Sequence, residues 1–234
     1  MEIENLKTHD RHLTQLKAAS RTKHLIQFNP ARPLQSLRKW IAAVDRRVPY
    51  KLPDKQLIPR EFIRQEPWEI EYLYMLARRA KAGIIETGRF NGGSVLIFAL
   101  ANGDVPIHSV DIAPQDDARL SGLLSGLGAG QNVNLIVGDS QATKYPQVGE
   151  ADLLYVDGDH SYAGCSADLN NWWDKVRIGG HVVLHDSYFG IQSQDAAIDF
   201  IESHEVSVVV SPYKLGGHYR HAEGSLCHFI KRGD

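Results

Sequence analysis

The sequence predicts an α/β fold: a doubly wound, seven-stranded sheet, mostly parallel with the last strand antiparallel, preceded by a helical N-terminal extension. Two observations carry this. From Glu66 onward, short apolar runs of four to six residues alternate with stretches of helical periodicity, and that order gives a parallel sheet covered on both faces. At the end, two strand-like runs flank residues 211–225, which have no helical pattern, so a hairpin-like return makes those two strands antiparallel.

The elements follow in order. Residues 67–81 read as a helix with Ile70, Leu73 and Ala77 on one face. Gly83 to Glu86 is a short buried strand, followed by a glycine loop and a helix over 93–102. Strands are expected at Ile107–Asp111, Val133–Val137, Asp152–Val156, His181–Leu184, Glu205–Val210 and Leu226–Lys231. Helices are expected over 116–128, 162–176 and 191–203. Upstream, Leu34, Leu37, Ile41 and Val44 form one face of an amphipathic helix, with Pro33 suited to its first turn. Pro49, Pro53 and Pro59 make residues 48–60 read as a linker. The division is therefore a helical extension over 1–60 and a globular body over 61–234.

Charge follows the same division. Residues 1–60 hold 13 Lys/Arg and 5 Asp/Glu, and the rest hold 13 and 23, so the chain's net −2 hides a basic appendage on an acidic body. The basic segment packs as a solvated helical face or serves as a docking surface for an anionic membrane or a partner protein. A second copy of the chain, in a homo-oligomer, is among the candidate partners. The 234 residues, 43% hydrophobic, suit one domain with a short extension. Two cysteines at no metal-ligand spacing and a polar N-terminus predict a reduced, cytoplasmic protein without a signal peptide or membrane span.

Candidate chemistry gathers at strand ends. The loop Glu86-Thr87-Gly88-Arg89-Phe90-Asn91-Gly92-Gly93-Ser94 follows a strand and opens a helix, where an open parallel sheet has its ligand crevice. Gly88 permits the turn, and Gly92 and Gly93 let backbone approach a ligand. Phe90 stands where a dinucleotide fingerprint needs its second glycine, which disfavours NAD. Asp111 ends the next strand and can accept hydrogen bonds from ribose hydroxyls. Gly138-Asp139-Ser140-Gln141 places short polar side chains where an adenine edge could be read. Asp157-Gly158-Asp159-His160 and His185-Asp186-Ser187-Tyr188 end two further strands, so Asp157, His160 and Asp186 can converge on one rim.

In this order the motifs resemble the class I S-adenosylmethionine-dependent methyltransferases, a Rossmann-like fold, over roughly residues 66–232. The resemblance is to the small-molecule branch around catechol O-methyltransferase and the methyltransferases of antibiotic and sugar pathways. It implies S-adenosylmethionine as cofactor, held by Glu86, Gly88, Arg89, Asn91, Gly92, Ser94, Asp111, Ile112, Gly138, Asp139, Ser140, Gln141 and Asp157. It implies a divalent cation such as Mg²⁺ on Asp157, Asp186 and Ser187, where Ser187 replaces the family's Asn and Asp159 could add an oxygen. His160 stands where the family has its general-base Lys, and an imidazole titrating near neutrality suits that role. His160 and Asp157 are then catalytic, and the acceptor is a hydroxyl of a sugar, a polyketide or another secondary metabolite. The basic N-terminal segment and the loop 216–221 are candidate acceptor walls, and Trp172 and Trp173 either join them or, more commonly for such a pair, pack their helix against the core. Same-fold alternatives are a hydroxylase-associated pathway protein and a non-catalytic cofactor-binding scaffold. Nucleic acid is not expected as a partner, because the body is acidic and strand four carries no N-P-P-Y-type motif.

Overall fold

The computed structural model describes residues 49–54, 56–142, 145–188, 190–212 and 225–233. The amphipathic stripe at 34–44 and the loop 216–221 lie outside them. The described chain opens with a two-stranded antiparallel ribbon, β1 (Tyr50–Lys51) and β2 (Leu57–Ile58), and a 3-10 turn at Arg60–Phe62. There follow α1 (Pro67–Ala77), β3 (Ile84–Thr87), α2 (Gly93–Ala101), β4 (Ile107–Asp111), α3 (Asp117–Gly126) and β5 (Val133–Val137). The second half is β6 (Ala151–Val156), α4 (Tyr162–Trp172), a 3-10 turn at Trp173–Lys175, β7 (Val176–Leu184), α5 (Gln192–Ser203), β8 (Val206–Val210) and β9 (Cys227–Lys231).

The main sheet has seven strands in the order β5-β4-β3-β6-β7-β9-β8. The first five run parallel, and β9 is antiparallel to both β7 and β8. The expected architecture is therefore present, including the reversed last strand. Chain order runs outward from β3 in both directions, so the crevice lies where β3 and β6 meet, at their carboxyl ends.

Alternation along the central strands builds a core on each face. Ile84, Leu153 and Val183 face one cluster with residues of α1, α2 and α3. Ile85, Leu154, Val182 and Leu184 face the other with Cys165 and Leu169 of α4 and Phe200 of α5. Both faces are apolar, so the strands read as continuous hydrophobic runs. Glu66 and Glu69 form a reciprocal capping box with Pro67 in the first turn, which starts α1 where the sequence placed it.

One difference from the sequence reading has a clear physical cause. The proline-rich stretch 48–60 is not a bare linker: Tyr50, Leu52 and Ile58 are at most 2% exposed and join the core under α1 and α2. Of the two places open to Trp172 and Trp173, helix packing and an acceptor wall, the structure takes the first: both are core residues. Trp172 stacks on Tyr145 at 5.7 Å and Trp173 meets Phe200 edge-on at 5.1 Å. Among the described residues no helix is long and apolar enough to cross a membrane.

Candidate active site

A cavity of about 540 Å³ opens at the carboxyl ends of β3, β4, β5, β6 and β7. Its walls include Gly88, Arg89, Asn91, Ser94, Asp111, Ile112, Asp139, Ser140, Gln141, Asp157, His160 and Asp186. Most of the residues expected at the site therefore share one space. Glu86, Gly92, Gly138 and Ser187 do not line it.

The glycine loop is built by close approach. Gly88 has φ +80°, and a β-carbon there would overlap the Asp157 carbonyl and stand 2.5 Å from Gly158 Cα. The end of β3 is thus pressed on the end of β6, which brings the loop and Asp157 together. Gly92 has φ +79°, caps α2, and a β-carbon would run into Leu120. Phe90 is left-handed without being glycine, at φ 47°. Its exposed ring lies under the Arg64 guanidinium at 5.5 Å.

Asp111 holds this loop from below. One carboxylate oxygen accepts the N–H of Arg89 at 2.8 Å and of Phe90 at 2.9 Å, and the other accepts that of Ala113 at 2.7 Å. A carboxylate has about four lone-pair positions, so it can still meet a ribose hydroxyl. Arg89 does not offer its side chain to the cavity. It is 2% exposed, pairs with both oxygens of Asp117 and donates to the carbonyls of Ser109 and Ile136. Only its backbone can serve a cofactor.

Glu86 is wholly buried beneath the loop and accepts the hydroxyls of Ser94 and Ser109. Burial pushes its carboxyl up to about 7, against the pull of the two serines. Its place is structural, joining β3 to α2 and β4. At the adenine-edge segment, Ser140 donates to Asp168 at 2.7 Å and Thr87 donates to the same carboxylate at 3.0 Å. Trp172 Nε1 and Asn171 Nδ2 donate to the Ser140 carbonyl. Burial pushes the Asp168 carboxyl up to about 6. Gly138 approaches Tyr145, whose hydroxyl donates to the Asp139 carbonyl at 3.1 Å.

The other half of the cavity is a charged cluster. Asp157 Oδ2 accepts the hydroxyl of Tyr155 at 3.0 Å and the amide of Gln65 at 3.1 Å. Its Oδ1 faces His185 Nδ1 at 3.2 Å and His160 Nε2 at 3.4 Å. Burial opposes ionisation of Asp157, but the two imidazoles hold its carboxyl down at about 2. His160 also lies 3.6 Å from Asp186 Oδ2. The Asp157 carboxylate raises its pKa above the usual histidine range, against partial burial. Asp186 adopts φ 47°, tied by Ser225 Oγ to its N–H and by Ser193 Oγ to its carbonyl, and this turn places its carboxylate beside both imidazoles. Asp159 lines the cavity, but its oxygens accept from Ser161 at the start of α4. Ser187 donates its N–H to the Ser225 carbonyl, and its side chain is fully buried and does not line the cavity.

Three participants had no role assigned from sequence. His185 stands 8% exposed beside Asp157, Asp186 and Glu69. It sits one residue before Asp186 at the same strand end, which is the signal that could have found it. Gln65 and Glu69 arrive from the start of α1, and no local spacing connects them to β6 or β7. Among the described residues, Asp157, His160 and His185 are the group whose ligand atoms lie within 4.8 Å of one another. Two imidazoles and one carboxylate do not fit Mg²⁺, which takes oxygens in near-ideal octahedral geometry.

Residues 85–187, a little under half of the chain, match the sequence profile of a family described as a methyltransferase domain. Among curated proteins, none matches the chain in sequence. Similar solved structures include a methyltransferase of Podospora anserina bound to S-adenosylhomocysteine, 15% identical, with a TM-score of 0.58 over 94% of this chain and 96% of that one. The O-methyltransferase NovP is 14% identical, with a TM-score of 0.59 over 84% of this chain and 97% of that one. An rRNA methylase of Streptococcus thermophilus, 14% identical, reaches 0.52 over 73% and 99%. At these identities the likeness establishes the fold and leaves the acceptor open. Residues 85–187 thus resemble a methyltransferase domain, and the chain shares the fold of these methyltransferases.

Proposed function

We propose that this chain transfers the methyl group of S-adenosylmethionine to a hydroxyl oxygen of a small molecule such as a sugar or polyketide. One observation carries the reading. The glycine loop, the Asp111 carboxylate and the Ser140 edge, which suit an adenosine, share a single cavity with Asp157, His160 and Asp186. The close approach of Gly88 to the Asp157 backbone holds the charged cluster beside the glycine loop, which supports this reading.

The chemistry requires little else. The acceptor oxygen attacks the methyl carbon in line from about 3 Å, the C–S bond breaks as the O–C bond forms, and S-adenosylhomocysteine leaves. The hydroxyl proton passes to His160, more open to the cavity than His185, and the imidazolium is stabilised by Asp157 and Asp186. Gln65 and Tyr155 hold the other oxygen of Asp157 and keep it oriented. An acidic body suits a neutral or cationic small acceptor better than a polyanion. The buried free cysteines accord with a reducing, cytoplasmic setting.

The test uses S-adenosylmethionine labelled in its methyl group, offered with panels of hydroxylated small molecules and of RNA. Label in a small-molecule ether is expected, and His160→Ala should lower the rate about 10²–10⁴-fold while calorimetry shows unchanged cofactor binding. Full activity in that variant would remove His160 as base. Label in RNA alone would overturn the acceptor class.

A further inference from the structure

We propose that Asp157, His160 and His185 form a two-histidine, one-carboxylate site for a first-row transition-metal dication, and not the oxygen-ligated Mg²⁺ site that the resemblance implies. The argument is geometric. Gln65 and Tyr155 occupy Asp157 Oδ2, so Oδ1 is left facing the two imidazoles at 3.2 and 3.4 Å. Ligands about 2.0–2.2 Å from a shared ion stand on the order of 3.0–3.4 Å apart. His160 Nε2 is buried and, despite its 3.4 Å approach, has no hydrogen-bond partner. The three donor atoms lie within 4.8 Å of one another, and a rotation of the His160 ring, 36% exposed, would close the remaining gap.

The second observation is independent and lies behind the cluster. Metal-bound imidazoles characteristically give their other N–H to a carboxylate, which fixes tautomer and ring orientation. Glu69 stands in that position, fully buried, 3.2 Å from His185 Nε2. Glu69 is itself held by the N–H and hydroxyl of Ser225 at 2.7 and 2.9 Å and by the N–H of Glu66 at 2.8 Å. Four donors thus converge on one buried carboxylate that turns His185 Nδ1 toward Asp157. Imidazole and carboxylate together suit Mn, Fe, Co or Zn dications.

The proposal rests on the placement of these side chains and not on methyl transfer, so the two readings fail separately. In the ion-free chain His160 takes the acceptor's proton; an ion bound there would engage His160 as a ligand instead and would supply the Lewis acidity that makes a hydroxyl easier to deprotonate.

The experiment treats the full chain with chelator, removes the chelator and titrates Co²⁺ while following visible absorption, with Mg²⁺ as competitor. Ligand-field bands saturating at one ion per chain are expected, undiminished by a hundredfold excess of Mg²⁺. His160→Ala and His185→Ala should each weaken Co²⁺ at least tenfold. Glu69→Gln should weaken it about 10–100-fold. Circular dichroism and urea unfolding confirm that each variant is folded. Should His185→Ala or Glu69→Gln fail to fold, His160→Ala, at the cavity mouth, decides alone. Absent Co²⁺ bands, bands unchanged in the His160 variant, or displacement by equimolar Mg²⁺ would each overturn the proposal. A failure to bind S-adenosylmethionine would count against the methyltransferase reading and leave the metal site standing.

Discussion

Replacing Glu86 with Gln tests how the cofactor loop is supported. Glu86 is fully buried with both oxygens on serine hydroxyls, and its carboxyl is pushed from an ordinary 4.5 up to about 7. The sign follows from linkage. The folded protein keeps this proton up to about pH 7, whereas the unfolded chain releases it near 4.5. Its contribution is therefore complete below 4.5 and is lost as pH rises through 7. A gap of about 2.5 pH units, at about 1.36 kcal/mol each, gives about 3 kcal/mol. Gln has nearly the same shape, never ionises, and leaves both serine hydroxyls able to rotate onto its amide. Urea unfolding of both proteins from pH 5 to pH 8.5 should show near-equal stability at the acid end. Toward pH 8 the Gln variant should gain by about 3 kcal/mol. Every other titrating group cancels in the difference between the two curves, and any loss in hydrogen-bond quality, about 1 kcal/mol, adds a constant offset. A difference that stays flat across this range would refute the buried, protonated carboxyl.

Two further outcomes follow from the loop. Gly88→Val forces a β-branched residue to φ +80° and into the Asp157 carbonyl, so S-adenosylmethionine affinity by calorimetry should fall at least about tenfold, or 1.4 kcal/mol; unchanged affinity would remove Gly88 from the cofactor site. Arg89→Met leaves Asp117 without its partner and frees the Ser109 and Ile136 carbonyls. Because Asp117 is 28% exposed, the expected loss is near the lower end for a broken buried pair, about 3 kcal/mol by urea midpoint; a loss below 1 kcal/mol would show that the clamp carries little.

The residues brought together here were legible to different degrees. Strand ends such as Asp111, Asp157 and Asp186 were readable, because in a parallel sheet every strand's carboxyl end falls on the same rim, and chain order alone then predicts convergence. What each side chain does on that rim was not. Arg89, Glu86 and Ser94 belong to the same motif as Asn91, yet their side chains turn into the protein to hold the loop. That choice depends on Asp117 and Ser109, which are distant in sequence. The linker reading of 48–60 failed for a related reason: its prolines shape the local chain, but Tyr50 and Ile58 find their core only after α1 and α2 have packed.

By itself, then, the sequence determined the alternation of strands and helices, the reversed last strand, the place of the glycine loop and the rim on which the polar residues gather. These depend on periodicity and on turn chemistry, which are local. Only the tertiary structure decided which donors face one another. Asp157 receives Gln65 and Tyr155 on one oxygen and two imidazoles on the other, and Glu69 reaches His185 across more than a hundred residues of chain. Such pairings arise from the approach of whole elements, α1 against the ends of β6 and β7, and no local pattern encodes them. The glycine loop marks where a cofactor meets the fold; the packing of α1 against the rim sets what chemistry the cavity can perform.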